Sequence, residues 1–215
     1  MSLIRISYTA LADFMNSSPT AQRKTLFDYK YPDEDEPKAK RLYYREARNT
    51  ISAYHEGAKS PEWMQEAAAR LADLAANNQS RATATRLTNN ARALTAYARA
   101  YEADQIKLTQ AFKGTLAFGN VEIRINADLH GLEKNKEKII RLDYGKETPD
   151  AHYCAIVTQL MYESALATGL TLPTSAFVVR HIESKQDFAP ARKGARLLRD
   201  ITATCENIEG IWNTL

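Results

Sequence analysis

The chain has 215 residues, 44% of them hydrophobic and 26% charged, and its formal net charge is +3. This composition is ordinary for a globular protein, and no apolar run approaches the roughly 20 residues that span a bilayer, so we expect no membrane partner. The net charge is too small to indicate a nucleic-acid partner by itself, because the placement of the basic groups decides that question.

The first half of the chain has helical patterns. Residues 60–62 (Ser-Pro-Glu) are typical of a helix start, with a capping residue, a proline in the first turn and an early acid. Residues 31–37 combine two prolines with four acids and predict a linker between the first helices. Apolar residues recur at helical spacing in two further series: Tyr43, Ala47, Ile51 and Tyr54, then Leu87, Ala91, Leu94, Ala98, Tyr101 and Leu108.

The pattern changes after Gly114. Residues 121–129 alternate apolar and polar side chains, which predicts a half-buried strand, and residues 131–138 predict a polar hairpin connection to a second strand over residues 138–144. Residues 148–150 open a helix that Gly169 ends, residues 175–183 predict a third strand, and a final helix begins at Pro190. We therefore predict an α+β fold, with an all-helical segment over residues 1–112 and a ββαβα core over residues 113–215, packed as one compact unit.

The two cysteines indicate the compartment. Cys154 and Cys205 lie far apart and form no CxxC motif, which favours free thiols in a reducing cytoplasm. The N-terminal residues also lack the apolar region of a secretory signal. We expect a cytoplasmic protein.

Two aspartates lie on the predicted neighbouring strands. Asp128 shares a face with the polar residues of the first strand, and Asp143 ends the second strand. A hairpin could place them near each other, depending on register. Two close carboxylates repel unless a cation lies between them, and Mg²⁺ suits such a pair because it takes oxygen ligands and keeps several waters. The alternative is structural, because aspartates are common near strand ends and turns.

The order of these features resembles the PD-(D/E)xK nuclease superfamily, particularly its RecB-type exonuclease branch. In that branch an aspartate closes one core strand, the next strand carries Asp-Tyr-Lys, and a helix with Gln and Tyr follows. The matching pieces are "INADL" with Asp128, "IIRLDYGK" with Asp143, and "TQLMYE" with Gln159 and Tyr162. The early "ISYTALADFM" is similar to the opening of that branch at Ser7, Leu11 and Phe14, and His55 is similar to the helical metal-binding histidine of some members.

The resemblance implies a restriction-endonuclease-like mixed sheet flanked by helices and Mg²⁺- or Mn²⁺-dependent cleavage of phosphodiester bonds in DNA. The metal ligands would be Asp128 and Asp143, with His55 as a further candidate. Lys146 would be the catalytic lysine, displaced by one position. Gln159 and Tyr162 would support the site.

The sequence departs from the family pattern at one position. Gly145 stands where the family has lysine, two residues after the second acid. Gly145 could form a bulge that re-aims Lys146 toward the carboxylates, or a lysine could reach the site from elsewhere in the chain. Otherwise the site has decayed, and the protein is a catalytically inactive module that binds nucleic acid or a protein partner in a larger complex. The spacing of Gln159 and Tyr162 is also three rather than the commoner four.

Two arginine stripes suggest contacts with phosphates. Arginines on one side of the long helix and on one face of the last helix could bind DNA backbones without reading sequence. The alternative is a pair of plain solvated faces. The stripes consist of Arg81, Arg92 and Arg99, and of Arg192, Arg196 and Arg199. Several tyrosines could stack on unpaired bases, although their helical spacing favours core packing: Tyr43, Tyr44, Tyr54, Tyr97 and Tyr101.

Overall fold

The computed structural model describes residues 3–32, 43–57, 59–100, 106–190 and 194–215. The helices of this part are α1 (Tyr8–Met15), α2 (Pro19–Lys30), α3 (Arg45–Glu56), α4 (Pro61–Ala76), α5 (Arg81–Ala100), α6 (Ala151–Ala167) and α7 (Gly194–Thr214). The strands are β1 (Ile4–Ser7), β2 (Lys107–Leu108), β3 (Lys113–Phe118), β4 (Val121–Asn126), β5 (Leu129–Glu133), β6 (Lys136–Asp143), β7 (Phe177–His181) and β8 (Gln186–Phe188). The predicted α+β class is confirmed.

The strands form two mixed sheets. In the three-stranded sheet, β4 lies between β1, which is parallel to it, and β3, which is antiparallel. The five-stranded sheet has the order β2-β5-β6-β7-β8, and only its β6–β7 pair is parallel. Ile4 pairs with Val121 across β1 and β4. Each sheet therefore contains strands from both parts of the chain, residues 1–112 and residues 113–215.

The central strands of the five-stranded sheet are apolar on both faces. Ile139 of β6 belongs to a core that α1, α6 and α7 complete, and we call it the first core. Its neighbour Ile140 belongs to a second core that α3, α4 and α5 complete. Successive strand residues point to opposite faces. The five-stranded sheet therefore lies between two helical layers, which explains why the run before Asp143 is continuously apolar.

Two of the predicted helix starts are confirmed. The Ser60 side chain accepts the amide of Trp63, and the Asp150 carboxylate accepts the amide of Tyr153 at 2.8 Å. Each cap satisfies a backbone donor that the first helical turn leaves free. Gly169, with φ +79°, follows the end of α6. The predicted linker falls mostly on residues 33–42, outside the described residues. Pro190, the predicted start of the last helix, is not helical; residues 191–193 lie outside the described residues, and α7 is described from Gly194.

The first predicted strand was wrong in its extent. Residues 121–129 form parts of two strands, because β4 ends at Asn126 and β5 begins at Leu129 in the other sheet. Where the chain passes from β4 to β5, the amide of Ala127 donates to the Phe112 carbonyl and the amide of Asp128 donates to the Ile140 carbonyl. The hairpin turn is shorter than predicted. Only Lys134 and Asn135, both with positive φ, connect β5 to β6.

The two cysteines are free and buried in the first core. Burial raises the pKa of both thiols to about 12, so they stay protonated at neutral pH. None of the helices in the described ranges has the length and apolar character needed to cross a membrane.

At Gly131 the backbone of β2 lies close to that of β5. A Cβ atom there would lie 2.4 Å from the Lys107 carbonyl oxygen and 2.9 Å from the Leu108 Cα of β2. We expect Gly131→Ala to lower the free energy of unfolding by about 1–3 kcal/mol, since the backbone of β2 must shift. Gly210→Ala is the matched control, because a Cβ there meets open space on α7, and it should raise stability by up to about 1 kcal/mol. Urea unfolding followed by circular dichroism measures both; equal effects would contradict this packing.

Candidate functional site

The candidate site lies at the end of β6. Parallel pairing with β7 places Asp143 beside His181, and Asp128 continues the β5–β6 register so that it lies opposite Arg141. Arg141 and Asp143 are two residues apart on one strand and therefore share a face. The hairpin thus brings Asp128 to the face that carries Asp143, as the sequence predicted for one register.

Two arginines and a backbone amide occupy the oxygens of Asp128. Arg141 Nη1 donates to both oxygens, at 3.1 Å to Oδ1 and 2.9 Å to Oδ2. The Leu142 amide donates to Oδ2 at 2.8 Å, and Arg48 Nε lies 2.8 Å from Oδ1. The Asp128 side chain is only 3% exposed, whereas that of Arg48 is 38% exposed. We call Asp128, Arg141 and Arg48 the Asp128 network; in it two arginines lie beside one buried carboxylate.

Arg141 is the centre of this network, and its side chain is 21% exposed. Desolvation is the largest effect on the pKa of Arg141 and acts to lower it, but the charge of Asp128 and the nearby tyrosines together outweigh desolvation, so the pKa is raised above its ordinary value. Two tyrosines lie close to the same guanidinium: burial raises the pKa of Tyr8 and of Tyr153, and the charge of Arg141 acts against it. The Tyr8 hydroxyl donates to the Asn126 carbonyl at 2.9 Å. The ion pair of Arg141 with the buried Asp128 carboxylate connects β6 to the residue that precedes β5.

Asp143 lies in a different environment. Burial raises the pKa of its carboxyl, while His181 and a hydrogen bond from the Gly145 amide act against that rise. Its Oδ2 lies 3.7 Å from His181 Nε2 and has no hydrogen-bond partner among the described residues. A Cβ atom at Gly145 would lie only 3.3 Å from this oxygen. Glycine at this position therefore leaves space for the Asp143 carboxylate.

His181 cannot supply a free ring nitrogen to a metal in this arrangement. Nε2 lies 3.2 Å from the Gly145 carbonyl oxygen, and Nδ1 lies 2.8 Å from Ser184 Oγ. A carbonyl oxygen only accepts, so Nε2 carries a proton, and the hydrogen bond between Nδ1 and Ser184 Oγ engages the second ring nitrogen.

The residues present do not fit a divalent ion. Within residues 3–32, 43–57, 59–100, 106–190 and 194–215, no group of three or more His, Cys, Asp or Glu side chains could hold one. Because the Asp128 oxygens are occupied, Asp143 is the one remaining carboxylate of the predicted pair. Mg²⁺ binds through carboxylate, carbonyl and water oxygens in near-octahedral geometry. Asp143 offers one half-buried carboxylate, and the nearby guanidinium groups of Arg141 and Arg92 disfavour a further cation.

Lys146 and His55 do not join the aspartates. Lys146 lies beyond the end of β6 with an exposed side chain, and no ion pair of the described residues connects it to Asp128 or Asp143. His55 is buried in the second core layer, where its Nδ1 accepts the Ile106 amide at 3.1 Å and its Nε2 lies 2.7 Å from the Tyr97 hydroxyl. Burial lowers the pKa of His55 to about 4, so the ring is neutral at pH 7 and both nitrogens are engaged.

Gln159 and Tyr162 lie on α6 and serve helix packing. Gln159 is buried, donates to Glu163 Oε1 at 2.7 Å, and lies so close to Gly194 that a Cβ there would be 2.7 Å from its Oε1. Tyr162 contacts the edge of Phe177, with ring centroids 5.6 Å apart. These contacts join α6 to α7 and to β7 and include neither aspartate.

The predicted arginine stripes belong to opposite layers. Arg81 and Arg99 are exposed on α5, which packs in the second core, and Arg196 and Arg199 are exposed on α7, which packs in the first. The four therefore do not form one surface, and Arg192 lies outside the described residues.

Arg92 of α5 has structural partners. It forms an ion pair with Glu183, and its Nη2 donates to the Tyr144 carbonyl at 2.7 Å. Arg92 thus connects α5 to the ends of β6 and β7, and it does not belong to the exposed arginine stripe.

The tyrosines that were predicted to stack on bases also lie in different parts of the structure. Tyr54 and Tyr97 are buried in the second core, as their helical spacing indicated. Tyr44 stacks on Tyr144 with centroids 4.7 Å apart and a 13° interplanar angle, and Tyr43 meets Tyr44 edge-on. Tyr101 lies outside the described residues.

The sequence reasoning missed the partners of the aspartate. Arg141 interrupts the apolar run "IIRLD", and a charged residue inside such a run needs a buried partner. That signal points to Asp128 once the hairpin register is known. Arg48 had no comparable signal, because it comes from α3, 80 positions before Asp128 in the chain.

Comparisons with known proteins leave the family open. A scan against protein-family models finds no match, and a search of the curated proteins finds no similar sequence. The resemblance to PD-(D/E)xK nucleases therefore depends on the order of short motifs and stays a prediction.

Proposed function

We propose that this chain is a cytoplasmic, nuclease-like protein that binds nucleic acid and does not cleave it. The observation that supports this proposal is the Asp128 network, in which arginines take the place that a metal ion would have beside the first motif aspartate. Within the described part of the chain no lysine forms an ion pair with Asp143, which agrees with it, and Lys146 is exposed beyond the strand.

The charges favour the metal-free state. Asp128 and Asp143 contribute two negative charges, and Arg141 and Arg48 contribute two positive charges, so the group is close to neutral. A divalent cation would leave a surplus of two positive charges beside the guanidinium groups of Arg141 and Arg48, which repel it. The network would have to open before a metal could bind.

Cations at the surface near this site support a phosphate partner. Arg48 is 38% exposed and Arg45 is 54% exposed on the first turn of α3, and the exposed Lys146 follows β6. Such cations bind phosphates without reading sequence, and the binding weakens as salt rises.

Metal-dependent hydrolysis of DNA at Asp128 and Asp143 is the second candidate. It is favoured by the unpartnered Oδ2 of Asp143 and by the raised pKa of that carboxyl, which is caused mainly by burial. A protein-interaction module is the third.

Labelled single- and double-stranded DNA, mixed with the protein in EDTA and then in Mg²⁺ or Mn²⁺, separates these candidates. We expect binding in EDTA that falls steeply between 50 and about 200 mM salt, with the DNA intact in all conditions. Lys146→Glu should weaken binding severalfold, whereas Lys136→Glu, at the opposite end of β6, should not.

Two results would contradict the proposal. Cleavage that Asp143→Ala abolishes would establish the nuclease. No binding to either DNA at low salt would leave a protein partner as the remaining function.

A further inference from the structure

Helix α2 exposes an unusual amount of aromatic surface. Among the described residues, six large apolar side chains are exposed, and three of them, Phe27, Tyr29 and Tyr31, lie within five positions of this helix and its C-cap. The other three are separate: Leu3, Leu74 and Leu166. α2 itself buries only Leu26. Scattered apolar residues on a surface are normal, but a local group of rings indicates a binding surface.

Two cations and then two rings follow one another along one face of α2. Arg23 and Lys24 lie three and four residues after Thr20, Phe27 lies three residues after Lys24, and Tyr31 lies four residues after Phe27, so these residues form one stripe along the helix, which we call the α2 stripe. The stripe extends over 11 positions, or roughly 16 Å at 1.5 Å per residue.

The stripe borders an open groove of about 680 Å³. The groove is lined by Pro19, Thr20, Arg23, Lys24, Phe27 and Leu215. Arg23 Nη2 and the Tyr31 hydroxyl donate to carbonyls of Thr214 and Leu215, each at 3.4 Å, which places the last turn of α7 as the second wall. Lys30 lies 5.7 Å from the ring centroids of both Tyr31 and Trp212, and this contact fixes the Tyr31 ring.

The positive charges along this groove favour a polyanion as its ligand. Arg23, Lys24 and Lys30 lie along or beside the stripe, and the one acid of α2, Asp28, lies 3.9 Å from Lys24 in an exposed ion pair. Phe27 and Tyr31 are 50% and 51% exposed, so their rings are accessible to a flat partner. Aromatic rings interspersed with cations in an open groove are the surface that unpaired nucleic acid uses, with bases on the rings and phosphates on the cations.

We infer that the α2 stripe binds single-stranded nucleic acid, with bases stacked on Phe27 and Tyr31 and phosphates bound by Arg23 and Lys24. This inference rests on the proposed function and names its substrate class. It adds a contact on α2 to the cations that the proposed function places near the Asp128 network.

Fluorescence anisotropy with a labelled 20-nucleotide oligothymidylate in EDTA tests the inference. Phe27→Leu keeps apolar contact but removes the ring, and we expect it to weaken binding by at least about fivefold. Phe27→Trp should bind as well as the unaltered protein or better. Arg23→Glu should weaken binding and lower the salt dependence, because one phosphate contact is lost. Leu166→Ala, an exposed apolar residue on α6, is the control and should have no effect.

The outcomes separate the inference from the proposed function. If the unaltered protein binds the oligonucleotide and Phe27→Leu binds equally well, the α2 stripe is not the site, while nucleic-acid binding stands. If the unaltered protein binds neither this oligonucleotide nor duplex DNA, both fail. If it binds only a labelled acidic peptide of alternating leucine and glutamate, the groove is a protein-binding surface and the inference is overturned.

Discussion

Replacing Arg141 by methionine is expected to lower the free energy of unfolding by about 3–5 kcal/mol, since the carboxylate of Asp128 stays buried and loses its main partner. Asp128 is only 3% exposed, so water cannot replace the guanidinium. Arg48 still lies beside Oδ1, and the Leu142 amide still donates to Oδ2, but only Arg141 of these three donates to both oxygens. Urea unfolding monitored by circular dichroism measures the loss.

Two further variants show that the loss comes from the unpaired charge. Arg141→Met combined with Asp128→Leu should recover most of the stability, because replacing both members of a buried pair by apolar groups is often neutral. Arg5→Met removes an exposed ion pair with Glu122 and should cost less than about 1 kcal/mol. If Arg141→Met costs no more than Arg5→Met, the Asp128 network is not a structural element of this fold.

Arg180→Met is expected to cost a similar amount, about 3–5 kcal/mol, because Arg180 compensates two acids at once. Its Nη1 and Nη2 donate to the two oxygens of Glu133 at 2.6 and 2.8 Å, and its Nε donates to Asp187 Oδ1 at 2.6 Å. Lys138 Nζ lies 2.8 Å from an oxygen of each acid. These four residues connect β5, β6, β7 and β8 across the sheet.

The same four residues give stability a defined dependence on pH. Burial acts to raise the pKa of Glu133, but hydrogen bonds from Arg180 and Lys138 outweigh it and lower the pKa to about 2. The pKa of Asp187 is lowered in the same way, with burial outweighed by Arg180 and Lys138. A carboxyl with a lowered folded-state pKa stabilises the fold fully above its unfolded-state pKa, near 4.5 for Glu133, and this stabilisation is lost as pH falls toward 2.

Unfolding by urea at a series of pH values from 7 to about 2.5 measures this dependence. The unaltered protein should lose stability steadily below about pH 4.5, and Arg180→Met should lose much less over the same range, because the pKa of Glu133 is no longer held low. Arg124→Met, which removes an exposed contact with Glu122, is the matched control and should follow the unaltered protein. If the free energy of unfolding depends on pH in the same way for the unaltered protein and for Arg180→Met, the dependence does not come from the contacts of Arg180 with Glu133 and Asp187.

The parts of the fold that the sequence predicted are those with local signals. Ser60 and Asp150 cap their helices through contacts three residues away, and the alternation in β4 is the local pattern of a strand with one exposed face. The division between β4 and β5 at Asp128 could not be predicted locally, since it depends on pairing with β1 and β6, whose residues are distant in the chain.

The candidate site shows the same limit. The sequence predicted that a hairpin could bring the two aspartates close in one register, but their chemical state depends on what lies opposite them. Arg141 lies opposite Asp128 only in the observed register, and Arg48 arrives from a helix of the other half of the chain. A short motif does not contain this information, so the same residues are compatible with a metal site and with an ion-paired one.

A crystal of the protein soaked in manganese gives the most direct test of the central claim, that arginines rather than a metal ion neutralise Asp128. The account predicts no anomalous scattering peak between Asp128 and Asp143, with Arg141 Nη1 still within hydrogen-bond distance of both Asp128 oxygens. A manganese ion bound to both aspartates, with Arg141 and Arg48 moved away, would contradict it and restore the nuclease prediction.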